Sequence, residues 1–239
     1  SRGAALVVTR GDQKLAETEA VKLAKSFWER HKEFKFTTEA YPFEEALEVA
    51  LGKKGQPVCI ADCGDNPGAG GSQNIVLPLE HMLSLNLENI LFGAINDPKA
   101  YEICAAKEIG EKVSLNLGRL SIEPEAAGLD LEVEIKKIGL LGKTPAVVVG
   151  VEGIDVIISS KRVMMLDPKD LEQLGLIPKS YKVIVLKSGY LDPKYEAIAA
   201  YGLLALTRGY TNQNFKELNY KHIQRPMYPL DKDFAYNPR

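Results

Sequence analysis

The stretch Asp62-Cys63-Gly64-Asp65-Asn66-Pro67-Gly68-Ala69-Gly70-Gly71-Ser72 gathers side chains that can do chemistry in a chain that has few such places. It follows an apolar run at 57–62 and precedes a helical pattern. In open α/β sheets, ligands sit beyond the carboxyl ends of parallel strands. Glycines there let the backbone approach a ligand and turn N–H groups towards it. The start of the next helix favours an anion such as a carboxylate or phosphate. Asp62, Asp65, Asn66, Gly68, Gly70, Gly71 and Ser72 are therefore candidate substrate-binding residues. The plain alternative is a tight turn with no ligand, but such a turn does not call for two Asp and an Asn. A second candidate is Lys187-Ser188-Gly189-Tyr190, at the end of the apolar run 183–186. If that run lies parallel and next to the strand before the glycine loop, Lys187 and Tyr190 face the same crevice. Lys187 would then hold a substrate carboxylate as a point charge. An ordinary strand end with a solvated lysine is the competing reading.

Other chemistries lack their signatures. The loop ends Gly71-Ser72-Gln73, without the Gly-Lys-Ser/Thr of a nucleoside-triphosphate loop, and G-x-G-x-x-G does not occur in it. There is no G-x-S-x-G nucleophile elbow and no H-E-x-x-H. The three histidines, His31, His81 and His222, are scattered. A catalytic zinc usually needs three protein ligands, so no metal-binding residues are assigned and the catalytic residues stay unknown. Cys59, Cys63 and Cys104 lack C-x-x-C spacing and read as reduced core thiols.

Thirty basic against 32 acidic residues give a net charge of −2, which speaks against a nucleic-acid partner. No apolar run approaches the roughly 20 residues that cross a bilayer, and no leader pattern opens the chain, so a cytoplasmic location without a membrane is expected. Its abrupt opening, Ser1-Arg2-Gly3 running straight into an apolar segment, reads as the start of a fragment.

The elements that must position these residues follow from periodicity. Residues 4–9 read as a short buried strand. Leu15, Ala16, Val21, Leu23, Ala24, Phe27 and Trp28 fall at helical spacing. Pro42 with Glu44 and Glu45 opens a second helix. Helices at about 73–86 and 98–108 alternate with strands at 90–95 and 111–117. The fold class expected is α/β, with a mostly parallel sheet, helices on both faces and an antiparallel insert at about 120–165. That insert rests on the strict alternation of residues 131–138 and the runs 147–149 and 154–158. Asp97-Pro98, Asp167-Pro168 and Asp192-Pro193 read as helix starts without chemistry. The tail from Tyr220, rich in Pro and Tyr, is expected to wrap the surface.

Three segments together resemble the C-terminal domain of the microcystinase C (MlrC) family. The stretch 62–71 is similar to its D-x-G-D-N-P-G-x-G loop. Gly93-Ala94-Ile95-Asn96-Asp97-Pro98 is similar to the strand-to-helix step that follows it. Gln224-Arg225-Pro226-Met227-Tyr228-Pro229-Leu230-Asp231 is similar to the family's closing R-P-x-Y-P-L-D. The resemblance covers nearly all of residues 1–239 as one C-terminal α/β domain. It implies a preceding domain, outside this chain, that carries the zinc ligands, and a metallopeptidase-like activity on amide bonds of small or linear peptides. Zinc would lower the pKa of a bound water and polarise the carbonyl, while the glycine loop held an anionic or carbonyl part of the substrate. The implied partners are that N-terminal domain and a small peptide-like or carboxylated substrate, with a homo-oligomer as a further option. Two departures stand out: Ser72-Gln73-Asn74 where the family loop often continues Pro-Gly-Asp, and Gly189-Tyr190-Leu191 where many members carry His-Phe. Two other functions fit the residues alone: an anion-binding module built on the glycine loop, or a packing or oligomerisation domain with no ligand of its own.

Overall fold

The computed structural model describes residues 3–123 and 125–236. The chain forms two units, Thr38–Asn214 and a smaller one from Ser1–Thr37 and Phe215–Arg239.

The larger unit is built on a nine-stranded sheet. Its strands are β1 (Ala40–Tyr41), β2 (Val58–Asp62), β3 (Ile90–Asn96), β4 (Lys112–Leu117), β5 (Leu129–Leu141), β6 (Thr144–Val151), β7 (Ile154–Ser159), β8 (Val183–Lys187) and β9 (Tyr201–Ala205). They lie in the order β1-β9-β2-β8-β3-β7-β6-β5-β4. From β1 through β7 in that order every pair is parallel. The β7-β6-β5-β4 portion is antiparallel.

Helices cover both faces because side chains alternate along a strand. Val58, Ile60, Val183 and Val185 face a core shared with α2 (Phe43–Gly52), α3 (Leu77–Ser84) and α4 (Pro98–Ala105). Cys59, Leu91, Ile157 and Ile184 face the opposite core, closed by α5 (Pro168–Gln173) and α6 (Pro193–Glu196). Burial raises the thiol of Cys59 to about 12 and that of Cys104 to about 11, so both behave as small core hydrophobes. The three Asp-Pro starts cap their helices: Asp97 accepts from the amide of Ala100, Asp167 from Lys169 and Asp192 from Lys194. Strand β2 leaves through α3 on one face, whereas its neighbour β8 leaves through α6 on the other. Connections that diverge between adjacent parallel strands open a crevice beyond their carboxyl ends.

Some details differ from the sequence expectation. The antiparallel portion runs from Lys112 to Ser159, because β4 pairs with β5 rather than joining the parallel alternation. The reason is visible in its residues: Lys112, Ser114 and Asn116 are exposed while Leu115 and Leu117 are buried, the pattern of a half-exposed edge strand. Helix α3 starts at Leu77, since the amides of Gln73 and Ile75 are held by Asp65 and cannot enter a helix.

In the smaller unit, α1 (Gln13–Glu29) forms as expected, capped by Asp12. Trp28 contacts Tyr228, Phe234 and Tyr236 of the C-terminal segment, which has no helix or strand among its described residues. His31 stacks on Trp28 with ring centroids 4.2 Å apart and donates from Nδ1 to the Trp28 carbonyl. It thereby satisfies a carbonyl in the last turn of α1. The run at 4–9 forms no strand and is largely exposed, Leu6 and Val8 each at 86%.

Candidate functional site

The expected juxtaposition is present: β2 and β8 are parallel neighbours, and Asp62 pairs in register with Lys187. Both end otherwise apolar strands, and both are buried. Lys187 Nζ lies 3.0 Å from Asp62 Oδ2 and 3.6 Å from Asp65 Oδ2, with these side chains at most 1% exposed. The Phe92 ring of β3 offers its face to the same ammonium at 5.5 Å. The remaining carboxylate lone pairs are matched as well. Asp62 Oδ1 accepts from Thr207 Oγ1 and, at 3.3 Å, from the amide of Gly64. Asp65 Oδ1 accepts from the amide of Gln73 at 2.8 Å and Ser72 Oγ at 3.1 Å, and its Oδ2 accepts from the amide of Ile75 at 2.7 Å. Two buried carboxylates, each hydrogen-bonded at both oxygens or paired with the ammonium between them, tie the glycine loop to the strand ends beneath it.

Other loops brace the same turn. From the segment after β9, Thr211 Oγ1 accepts from the amide of Asn66 at 2.8 Å and donates to the Cys63 carbonyl at 2.7 Å. The amide of Thr211 donates to the Gly64 carbonyl at 2.8 Å. After β7, Val163 exchanges two hydrogen bonds with the side chain of Gln73, at 2.6 and 2.9 Å, and Arg162 donates to the Gly71 carbonyl at 3.3 Å. At the end of β3, Asn96 donates through Nδ2 to the Ser72 carbonyl at 3.1 Å. After β8, Gly189 comes so close that a Cβ there would lie 2.9 Å from Asn66 Nδ2 and from Gln213 Nε2. Segments following four neighbouring parallel strands therefore converge on residues 64–73.

The loop amides point elsewhere than expected. Gly68 N–H donates to Asn66 Oδ1 at 2.9 Å. The amides of Ala69 and Gly71 donate to the Asn66 carbonyl at 3.2 and 2.8 Å, and that of Gly70 to the Pro67 carbonyl at 3.3 Å. An Asx turn followed by one tight helical turn thus occupies these donors internally. The expectation of an open anion nest made of loop amides is corrected on this point. What faces outward is surface: Gly68, Ala69 and Gly70 are exposed, Asn66 and Ser72 half-buried, and Tyr190 is 57% exposed. Asp62, Asp65 and Lys187 lie under that surface and hold its shape.

Thr207, Thr211, Gln73, Asn96 and Arg162 were missed in the sequence. A signal existed for one of them. Asn96 is the last residue of its strand, as Asp62 and Lys187 are of theirs, whereas Ala205 is the β9 residue in register with Asp62 and Thr207 lies two positions beyond it. Gln73 and Arg162 act through contacts about 90 residues apart in sequence, which no local pattern shows.

Among the described residues no group of three or more His, Cys, Asp or Glu side chains could hold a metal ion. In the Asp62–Asp65 pair the space between the carboxylates belongs to the Lys187 ammonium. The Asp62–Asp65 pair, with the ammonium between its carboxylates, does not fit a metal, and no catalytic step is derived through one. No helix among the described residues is long and apolar enough to cross a membrane.

Fold and site together define a doubly wound α/β domain whose glycine-rich loop, fixed from below by buried ion pairs, forms the carboxyl edge of a parallel sheet. The family model for the MlrC C-terminus matches residues 60–222, well over half of the chain, and the chain belongs to that family. It is 28% identical to Microcystinase C from Sphingomonas sp over 195 residues, 77% of this chain and 38% of that protein. A crystal structure of a candidate metallopeptidase from Mesorhizobium sp. BNC1 shares the fold, with a TM-score of 0.72 and 19% identity. That match covers 92% of this chain and 47% of the other. The chain thus spans less than half the length of either relative.

Proposed function

We propose that this chain is the C-terminal half of a zinc-dependent amide or peptide hydrolase, and that it supplies the substrate-side wall next to a metal held by an N-terminal domain. Support comes from the family membership and from the names of the two relatives, one a microcystinase and the other a candidate metallopeptidase. The observation that carries the reading is the braced loop 66–72 at the carboxyl edge of β2 and β8, which is where α/β sheets place their ligands.

In this reading Asn66, Gly68, Gly70, Gly71, Ser72 and Tyr190 face or shape the substrate, and Asp62, Asp65 and Lys187 hold the wall rigid. A preorganised wall raises rate by keeping a small peptide in one orientation beside the reacting groups. Zinc, when bound in the parent, would supply a water of lowered pKa and a polarised carbonyl. The anion-module alternative is weakened by the inward-turned amides.

Metal analysis tests the division of labour. The parent protein should hold about one tightly bound zinc per chain and lose hydrolysis of linear peptides on chelation, while residues 1–239 should hold none in stoichiometric amount. Tight, stoichiometric zinc on residues 1–239 would defeat the proposal.

A further inference from the structure

A peptide lying on loop 66–72 brings carboxylates with it, at its C-terminus or on acidic side chains, and the sheet edge needs a cation to receive one. Lys187 is not that cation. Its side chain is 0% exposed, and its ammonium is already shared by Asp62 and Asp65. The charged side chains that do reach the surface around the loop are of one sign. Segments 66–74, 160–164, 188–191 and 207–214 contain Lys161, Arg162 and Arg208, all exposed, and no Asp or Glu. Two carboxylates and one ammonium in the triad leave a single net negative charge beneath the loop, against these three positive ones. In a chain of net charge −2, this edge is locally positive and attracts anions.

Of the three cations, Arg162 is the one held in place against the loop. The two residues after it lie along the same turn. Val163 exchanges two hydrogen bonds with the Gln73 side chain, at 2.6 and 2.9 Å. Met164 Sδ sits 3.1 Å from where a Cβ on Gly68 would be. The guanidinium itself donates through Nη1 to the Gly71 carbonyl at 3.3 Å. That long bond uses one of its five N–H donors. Among the described residues no carboxylate lies within ion-pair distance of it. A guanidinium pinned at one corner, with donors to spare, takes a carboxylate through two parallel bonds. We propose that Arg162 is a specificity-determining residue of the substrate wall, which receives a carboxylate of the bound peptide. The peptides turned over are then those with an acidic side chain or a free C-terminus in reach of it. The proposal rests on the hydrolase reading for the ligand being a peptide, and on the placing of Arg162 for the carboxylate.

The test compares short linear peptides cleaved by the parent protein with the same peptides amidated at one carboxylate at a time. The C-terminus is amidated, or Asn replaces Asp and Gln replaces Glu. One such change should lower kcat/KM of the unsubstituted parent about tenfold or more. In Arg162→Gln the same change should alter it less than about twofold. Arg162→Lys keeps the charge without the fork and should fall between the two; it carries the comparison should Arg162→Gln fail to fold. Indifference of the unsubstituted parent to every amidation would overturn the proposal. So would a fall in Arg162→Gln that is equal for a peptide and its amide, because Arg162 would then only hold the Gly71 carbonyl. Calorimetric binding of the same peptide pairs keeps the two ideas apart. An active, metal-dependent parent that ignores the carboxylate sinks the assignment of Arg162 alone. A parent that cleaves nothing, yet binds the carboxylate form more tightly through Arg162, sinks the hydrolase reading alone.

Discussion

Replacing Lys187 with Met is expected to destabilise the larger unit by about 3–5 kcal/mol, the usual cost of breaking a buried ion pair from one side. The variant would leave Asp62 and Asp65, each 1% exposed, facing one another without a counter-charge. Methionine fills much of the lysine volume, so the loss is one of charge pairing rather than of packing. Lys187→Arg should not rescue it, because a planar guanidinium does not fit a site shaped around a compact ammonium with 0% side-chain exposure. A useful contrast is Lys112, paired with Glu132 at 3.3 Å where both side chains are about two-thirds exposed. Lys112→Met should change stability by less than about 1 kcal/mol. Urea denaturation of the three variants decides the matter. A loss at Lys187→Met no greater than that at Lys112→Met would show that the triad does not hold the loop.

Gly64→Ala should cost about 3 kcal/mol, at the upper end of what overpacking does. A Cβ at residue 64 would lie 2.4 Å from Thr207 Oγ1, 2.5 Å from the Thr207 carbonyl and 2.8 Å from that of Arg208. Two of these are backbone atoms and cannot swing away. Making room means moving residues 207–209 off the loop. That in turn breaks the 2.7 Å bond from the Gly64 amide to Thr207 Oγ1 and the 2.8 Å bond from the Thr211 amide to the Gly64 carbonyl. The approach is mutual, since a Cβ on Gly209 would sit 2.1 Å from the Gly64 carbonyl oxygen. Gly70→Ala is the control: it meets nothing within 4 Å, and only its left-handed φ of +95° makes it unfavourable, by roughly 1–2 kcal/mol. Thermal unfolding should rank Gly64→Ala well below Gly70→Ala, and the reverse order would show that the loop and the β9 segment are not locked together.

Much of this architecture is legible in the sequence because local signals agree with the fold. The Asp-Pro helix starts, the apolar strand at 58–62 and the alternating strand at 129–141 each carry their own period or cap. The strand at 112–117 carries its period too, but a period fixes which face is exposed and not whether the neighbouring strand runs parallel or antiparallel. The segment at 4–8 was misread for a different reason. A strand needs a neighbour, and composition cannot say whether the same chain supplies one.

The convergence of residues at the glycine loop was legible in the sequence, and the part each side chain plays there was less so. Asp62 and Lys187 stand out as polar residues at the ends of apolar strands, and Asp65 as an acid clustered beside the loop glycines. Composition alone could not distinguish a carboxylate that meets a ligand from one that meets Lys187 and one backbone amide, as Asp62 does, or Lys187 and two, as Asp65 does. Asn96 obeys the same end-of-strand rule, and applying it to β3 finds it, whereas Thr207 lies two residues beyond the end of β9.

In the proposed function the outer surface of loop 66–72, together with Tyr190, is the substrate wall of a hydrolase whose metal is bound elsewhere. Steady-state kinetics of the parent protein carrying Gly70→Asn or Tyr190→Ala tests it most directly. Asparagine tolerates the left-handed backbone and adds bulk at the loop tip, and Tyr190 is an exposed ring that its alanine variant removes. In either variant kcat/KM should fall about tenfold or more, roughly 1.4 kcal/mol of transition-state stabilisation, with zinc content unchanged. Unaltered kcat/KM in both variants, at full metal occupancy, would contradict it.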